Sequence, residues 1–181
     1  VTDLNQGVVY GTSTQETDLD DSLQTSFHYD HIFGTVLNRF LVQAAINMPL
    51  TVYGKGTQTR PALNINDTIK CVEIAINNPA AVGEFRVFNQ FTESFQINNL
   101  ANLVKKVANK KGIDVKIDNI ENPRTEQMDH YYNAKNTALK DLGLSPIYLD
   151  EGILEDMFTK VLEYKNRVIR TTIMPTVKWI Q

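Results

Sequence analysis

Apolar positions recur one helical turn apart from Thr35 to Asn47, at Val36, Leu37, Phe40, Leu41, Ala44 and Ala45, and Pro49 follows the pattern. That spacing predicts an amphipathic helix. A helix of the same kind is predicted over Ile97, Leu100, Leu103, Val104 and Val107, ended by Gly112 and begun at Gln96 without the usual serine cap. A third follows Asp150 and buries Leu154, Met157, Phe158, Val161 and Leu162. Shorter helices are predicted from Thr68 to Asn77, capped by Asp67 and stopped at Asn78 and Pro79, and from a cap at Asn133 through Leu142, with Gly143 beyond.

Between the helices the period shortens to two. "LTVYG" and "ALNIND" read as short strands either side of the turn "GKG", and "EFRVFN" sets Phe85 and Val87 against polar neighbours. "IDVKI" alternates at Ile113, Val115 and Ile117. Val1 to Tyr10 reads as one strand that passes close to something at Gly7 and Gly11. Thr12 to Asp30 is polar, acidic and without period, a long surface insertion, and Thr171 to Gln181 is an extended tail. Strands alternating with helices place the chain in the α/β class, with parallel pairing where a helix crosses between strands.

Composition narrows the chemistry. The 181 residues are 42% hydrophobic and 22% charged, a globular balance, with a net charge of -3. That charge argues against nucleic-acid binding, which needs a basic footprint. The single Cys71 cannot close an internal disulfide and falls at an apolar helical position, a reduced core residue. No apolar run approaches the roughly 20 residues of a membrane span, and no signal peptide precedes the first strand, so the expectation is a soluble protein of a reducing compartment without membrane insertion.

The densest chemistry lies in "TVYGKGTQTR", Thr51 to Arg60. Gly54, Lys55, Gly56 and Thr57 lack the spacing of a phosphate-binding loop and read as a tight turn. Arg60 ends that stretch before an apolar strand, where a planar guanidinium can clamp a phosphate or carboxylate through paired hydrogen bonds, unless it is a solvated surface arginine. "NPRTEQMDHYY" sets Arg124 ahead of Tyr131 and Tyr132, a composition suited to an anionic, partly aromatic ligand, although on the residues alone a surface loop whose tyrosines pack on the next helix is the favoured reading. His28, Asp30 and His31 offer metal-ligand chemistry, but no cluster elsewhere completes a site, so no metal is expected. His130 reads as a loop residue, and no nucleophile with its base is recognisable.

Taken together, "TDLNQGVVYG", "FGTVLNRF", "PLTVYGKGTQTR", "GEFRVFNQFTE" and "HYYNAK" resemble the C-terminal half of the nucleotide-sugar enzymes of the extended short-chain dehydrogenase type, and among them the sulfolipid-forming UDP-sulfoquinovose synthase family. The resemblance runs through all 181 residues. It implies residues 1–11 as a late strand of a Rossmann sheet, 12–34 as an insertion loop and 35–181 as a small mixed nucleotide-sugar-binding subdomain, with the NAD-binding domain and the catalytic residues outside this chain. The implied reaction is NAD-dependent and redox-neutral. UDP-glucose is oxidised at C4, loses water across C5 and C6, adds sulfite at C6 and is reduced again at C4; the ketone acidifies the C5 proton, which is why such a reaction needs the cofactor. The implied partners are UDP-glucose, sulfite or a sulfite donor, and a second copy of the intact enzyme. The implied compartment is the plastid stroma in a photosynthetic eukaryote and the cytoplasm otherwise.

By position, the resemblance implies that Asn5 and Gln6 reach the hexose and Val9 the nicotinamide end of NAD. Thr35 and Val36 meet the nucleotide, Thr51, Val52 and Tyr53 hold the uracil, and Arg60 and Arg124 grip the diphosphate with Tyr131 beside them. Clustered arginines suit an acidic chain, because one diphosphate needs only local positive charge. Pro61, Ala62, Leu63 and Asn64 depart from the family's residues after Arg60. UDP-sugar 4-epimerisation, 4,6-dehydration and binding of UDP-sugars without catalysis are the competing readings, since those families share "YGKG" and the arginines.

Overall fold

The computed structural model describes residues 1–123 and 134–176. In chain order the strands and helices are β1 (Thr2–Gln6), β2 (Val8–Tyr10), α1 (Val36–Ala45), β3 (Leu50–Tyr53), β4 (Thr59–Asn64), α2 (Ile65–Asn77), β5 (Arg86–Gln90), β6 (Glu93–Gln96), α3 (Ile97–Lys110), β7 (Ile117–Ile120), α4 (Thr137–Asp141) and α5 (Glu151–Glu163). They group into two compact units. The first holds Val1–Thr25, Arg60–Phe95 and 134–149, the second Ser26–Thr59, 96–123 and 150–176.

In the first unit β1 pairs with β5 in parallel, Leu4 opposite Phe88, and β4 lies between β2 and β6 with β2 parallel to it. The chain therefore leaves one ladder and enters another within a single residue, Gly7. A Cβ there would stand 3.1 Å from both the Phe91 Cβ and the Pro61 carbonyl oxygen, so only glycine passes without a shift. The core joins Cys71 and Ile74 of α2 to Phe88, Leu139 and Leu144, with Leu4 and Ala138 against it. Cys71 is fully buried and free, and burial pushes its thiol pKa up, as befits an unreactive core residue.

The second unit packs α1, α3 and α5 on one another, with β3 and β7 paired in parallel beside them. Its centre is Phe40, Leu41, Leu50, Leu154, Met157 and Phe158, all essentially inaccessible. Asp150 caps α5, accepting the Ile153 N–H at 2.8 Å, and Thr35 caps α1, accepting that of Asn38 at 3.3 Å.

Several expectations shift. The segment Val1 to Tyr10 is two strands in different sheets rather than one. Helix α2 begins at Ile65, because Asn64 supplies the cap through the Asn66 N–H at 2.9 Å; Asp67 sits in the first turn, with a different partner. In β5 the buried face carries Phe88 and Gln90, whereas Phe85 and Val87 are exposed, since pairing Phe88 with Leu4 turns the other parity outward. Val115 is buried as its alternation implied, but β7 begins only at Ile117, the last residue of the predicted strand, and runs on to Ile120. The tail forms a short 3-10 turn at Arg170–Thr172 and buries Ile173 fully. The cap of α4 is Asn136; Asn133 lies outside the described residues. Strand β6 went unpredicted, because "ESFQ" carries a single apolar residue.

Candidate functional site

In the first unit Asn5 and Gln6 stand exposed on β1, opposite Asn89 and Gln90 of β5. Their partners are engaged elsewhere, Asn89 Nδ2 donating to the Lys135 carbonyl at 2.8 Å and Gln90 Nε2 to that of Thr68 at 3.0 Å. Val9, half-buried, lies opposite Leu63, and Arg60 is half-buried near the start of β4.

Beside Val9, Tyr10 organises a polar cluster. Its hydroxyl donates to Glu93 Oε1 at 2.5 Å, with the Ile147 carbonyl 3.1 Å away, and the same carboxylate oxygen accepts the Leu149 N–H at 2.8 Å. Asp67 Oδ2 accepts the Ile147 N–H at 2.9 Å. Two carboxylates thus hold the 147–149 segment by its main chain. Burial pushes the Asp67 carboxyl pKa up; the Ile147 bond opposes this and the Glu93 charge adds to it. A carboxyl raised in the folded state binds protons more tightly there than in the unfolded chain. Its ionisation therefore costs stability, and the cost grows as pH rises from the unfolded value, about 4, through the folded one. Asp67→Asn keeps an acceptor for Ile147 and removes the charge. Thermal unfolding of this variant followed against pH is expected to lose the part of the decline above about pH 4 that the wild type shows.

In the second unit Thr35 and Val36 open α1, both half-buried. Of the three residues expected at the uracil, Thr51 and Val52 are buried and Tyr53 is half-buried. The Gly54 N–H and the Leu50 N–H face β7, donating at 2.8 Å to Ile120 and Lys116 carbonyls. Thr51 faces the opposite edge, where helix α1 meets it. Gln43 Nε2 donates to Thr51 Oγ1 at 2.8 Å while Gln43 Oε1 accepts the Thr51 N–H at 3.1 Å. Arg39 Nη2 donates to the Thr51 carbonyl at 3.0 Å, and its guanidinium carbon lies 4.2 Å from the centre of the Tyr53 ring.

The turn after Tyr53 is clasped from several sides. Gln58 Nε2 donates to the Tyr53 carbonyl at 3.1 Å, Asn119 Nδ2 to that of Gly54 at 2.8 Å, and Asn98 Nδ2 to that of Lys55 at 2.8 Å. Arg39 and Gln43 were missed from sequence. The available signal was two polar residues four apart within the buried face of "LNRFLVQAA", a spacing that sets both on one helix face.

Arg124 and Tyr131 lie outside the described residues, as does His130. His28, Asp30 and His31 have structural employment: His28 lies with its ring centre 6.1 Å from that of Phe33, and His31 Nδ1 is 3.1 Å from the Thr172 carbonyl. Asp30 Oδ1 accepts the N–H groups of Ile32 and Phe33 at 2.8 and 2.9 Å, which holds its pKa down.

No family model matches the chain. It is 54% identical over 178 residues to the chloroplastic UDP-sulfoquinovose synthase of Spinacia oleracea, across 98% of this chain and 37% of that protein. To the UDP-sulfoquinovose synthase of Sulfolobus acidocaldarius it is 41% identical over 181 residues, across 99% of this chain and 46% of the relative. The chain is a homologue of the UDP-sulfoquinovose synthases. It spans less than half the length of either synthase. Its fold matches the crystal structure of UDP-glucuronic acid 4-epimerase from Bacillus cereus in complex with UDP-glucuronic acid and NAD, with a TM-score of 0.64 and 21% identity over 89% of this chain and 45% of that one. The synthase homologue is thus α/β with parallel strand pairs, folded like part of that 4-epimerase. No helix among the described residues is long and apolar enough to cross a membrane.

Proposed function

We propose that this chain supplies the UDP-glucose-binding part of a UDP-sulfoquinovose synthase, which converts UDP-glucose and sulfite to UDP-sulfoquinovose with NAD as its cofactor. The observation that carries the reading is the 54% identity to the spinach synthase over 98% of the chain. In this reading residues 1–11 contribute a late strand of the Rossmann sheet, 12–34 a surface insertion and 35–181 the sugar-nucleotide subdomain. Asn5 and Gln6 take the hexose, Thr35 and Val36 the nucleotide, and Thr51, Val52 and Tyr53 the uracil. Arg60, with Arg124 and Tyr131, takes the diphosphate.

The described residues do not form a holder for NAD. Among the described residues no strand runs into a helix through a glycine-rich turn of the kind that cradles a pyrophosphate on backbone N–H groups, and Val9 is the one residue read as touching the cofactor. Binding and chemistry of the dinucleotide are accordingly read as work of the remainder of the enzyme, and what this chain contributes is recognition of the substrate. The intact enzyme is read as a homodimer, in the plastid stroma if the source is a photosynthetic eukaryote and in the cytoplasm otherwise.

The deciding experiment incubates the intact enzyme with UDP-glucose and sulfite and follows the nucleotide sugar by mass spectrometry. A sulfonated UDP-hexose is the expected product. UDP-galactose or a 4-keto-6-deoxy sugar in its place would move the protein to the epimerases or dehydratases, and tight binding without turnover would make it a binding module.

A further inference from the structure

Arg39 has no role in the reading given so far, yet it is one of the few charged side chains buried in the second unit, 8% exposed on a helix whose other buried residues are mostly apolar. A buried arginine gives up its rotamer freedom and much of its hydration, so the geometry it keeps is informative. One turn beyond the cap at Thr35, its guanidinium carbon lies 4.2 Å from the centre of the Tyr53 ring and 5.5 Å from that of Phe40. Its Nη2 is tied at 3.0 Å to the carbonyl of Thr51, the residue two before Tyr53. Gln43, one turn further along the same helix, engages the main chain and the hydroxyl of that threonine through its amide. Tyr53 is in turn held from behind, its carbonyl accepting from Gln58 Nε2 at 3.1 Å.

The main chain on both sides of the ring is therefore fixed, and the ring itself has a planar cation over it. Planarity matters here. A guanidinium stacks on an aromatic face and donates in its own plane at the same time, which an ammonium cannot do. The geometry points to Arg39 as a positioning residue: it sets the plane of the Tyr53 ring so that the ring meets the pyrimidine of a UDP-sugar without first being ordered by it. A side chain ordered in advance spares the ligand that cost, and the benefit falls on affinity for the base-bearing part of the substrate. The inference rests on the reading of Tyr53 as a uracil contact.

A double-mutant cycle in the intact enzyme tests it, with Arg39→Met, Tyr53→Leu and their combination. Arg39→Met is expected to weaken UDP binding by calorimetry, and to raise KM for UDP-glucose, about tenfold, the range of a desolvated cation over a ring, while kcat stays within about twofold. Inhibition by glucose 1-phosphate, which lacks the base, is expected to be unchanged; a general packing defect would move both ligands. The double variant is expected to bind UDP no more weakly than Tyr53→Leu alone, because Arg39 acts through that ring. If Tyr53→Leu leaves UDP affinity unaltered, the uracil reading fails and the inference falls with it. If Tyr53→Leu weakens binding but Arg39→Met does not, or if the two losses multiply in the double variant, the positioning role is overturned and the uracil reading stands. Should Arg39→Met not fold, Arg39→Lys reads the same comparison, keeping the charge without the plane. Its expected loss is about threefold, and wild-type UDP affinity in Arg39→Lys would refute the role.

Discussion

Gly56→Ala is expected to lower the unfolding midpoint by about 5–15 °C. Gly56 adopts φ +70°, a left-handed conformation that costs an L residue about 1–2 kcal/mol. A Cβ at this position would also run into Asn98 Oδ1 and stand 2.6 Å from Val52 Cγ1. The asparagine amide can swing aside, but only by giving up its 2.8 Å bond to the Lys55 carbonyl; Val52 is fully buried and has nowhere to go. Overpacking of this kind costs a further 1–3 kcal/mol, about 2–5 in all. The Gly56 carbonyl also accepts the Asn98 N–H at 3.0 Å near the start of α3, so the strain is delivered to the turn that follows Tyr53 and to the helix that clasps it. Differential scanning calorimetry checks the midpoint; a change of less than about 2 °C would show that the turn relaxes freely. UDP affinity is expected to fall along with stability.

Arg60→Ala in the intact enzyme should behave in the opposite way, with affinity lost and the fold kept. A charged hydrogen-bonding partner removed from an anion is worth about 1.5–3 kcal/mol, or roughly 10- to 150-fold in UDP-glucose affinity. Arg60 is half-buried near the start of β4, so truncating it opens no core cavity, and the unfolding midpoint should change little. Titration calorimetry reads the affinity. Arg60→Lys adds information, because a lysine presents a point charge where an arginine presents a fork. Partial recovery in the lysine variant is expected; full recovery would mean that charge alone is sensed, and unchanged binding in Arg60→Ala would remove Arg60 from the diphosphate altogether.

How far the chain could be read in advance depended on what kind of force shaped each element. Helices α1, α3 and α5 were legible because a wide apolar stripe is written into the spacing of Phe40, Leu100, Leu154 and Phe158, and that stripe is what buries them. Strands were less legible. Their burial parity is decided by a partner distant in sequence, as Leu4 decides it for Phe88, and a parity error turns every side chain over. The start of α2 turned on which of two competent caps is used, Asn64 or Asp67, and the 147–149 segment decides this by claiming Asp67 for the Ile147 N–H. At the candidate site the quoted motifs singled out Thr51 to Tyr53 and Arg60 as the residues proposed to meet the nucleotide sugar, whereas Arg39 and Gln43, which hold Thr51, escaped notice. Their part is to hold another residue's main chain, and nothing in a one-dimensional pattern says which polar side chain of a buried helix face will find a strand edge.

The capture of Thr51 by Gln43 and Arg39 also bears on solubility. A strand at the border of a small sheet offers its free N–H and C=O groups to any other extended chain, which is how edge-to-edge aggregation begins. On β3 the Thr51 groups turned away from β7 are already occupied, the N–H by a glutamine amide that stands in for a neighbouring strand and the carbonyl by a guanidinium. The apolar, β-prone run "LTVY" is thereby withdrawn as a template for a second molecule, by side chains of a helix rather than by another strand.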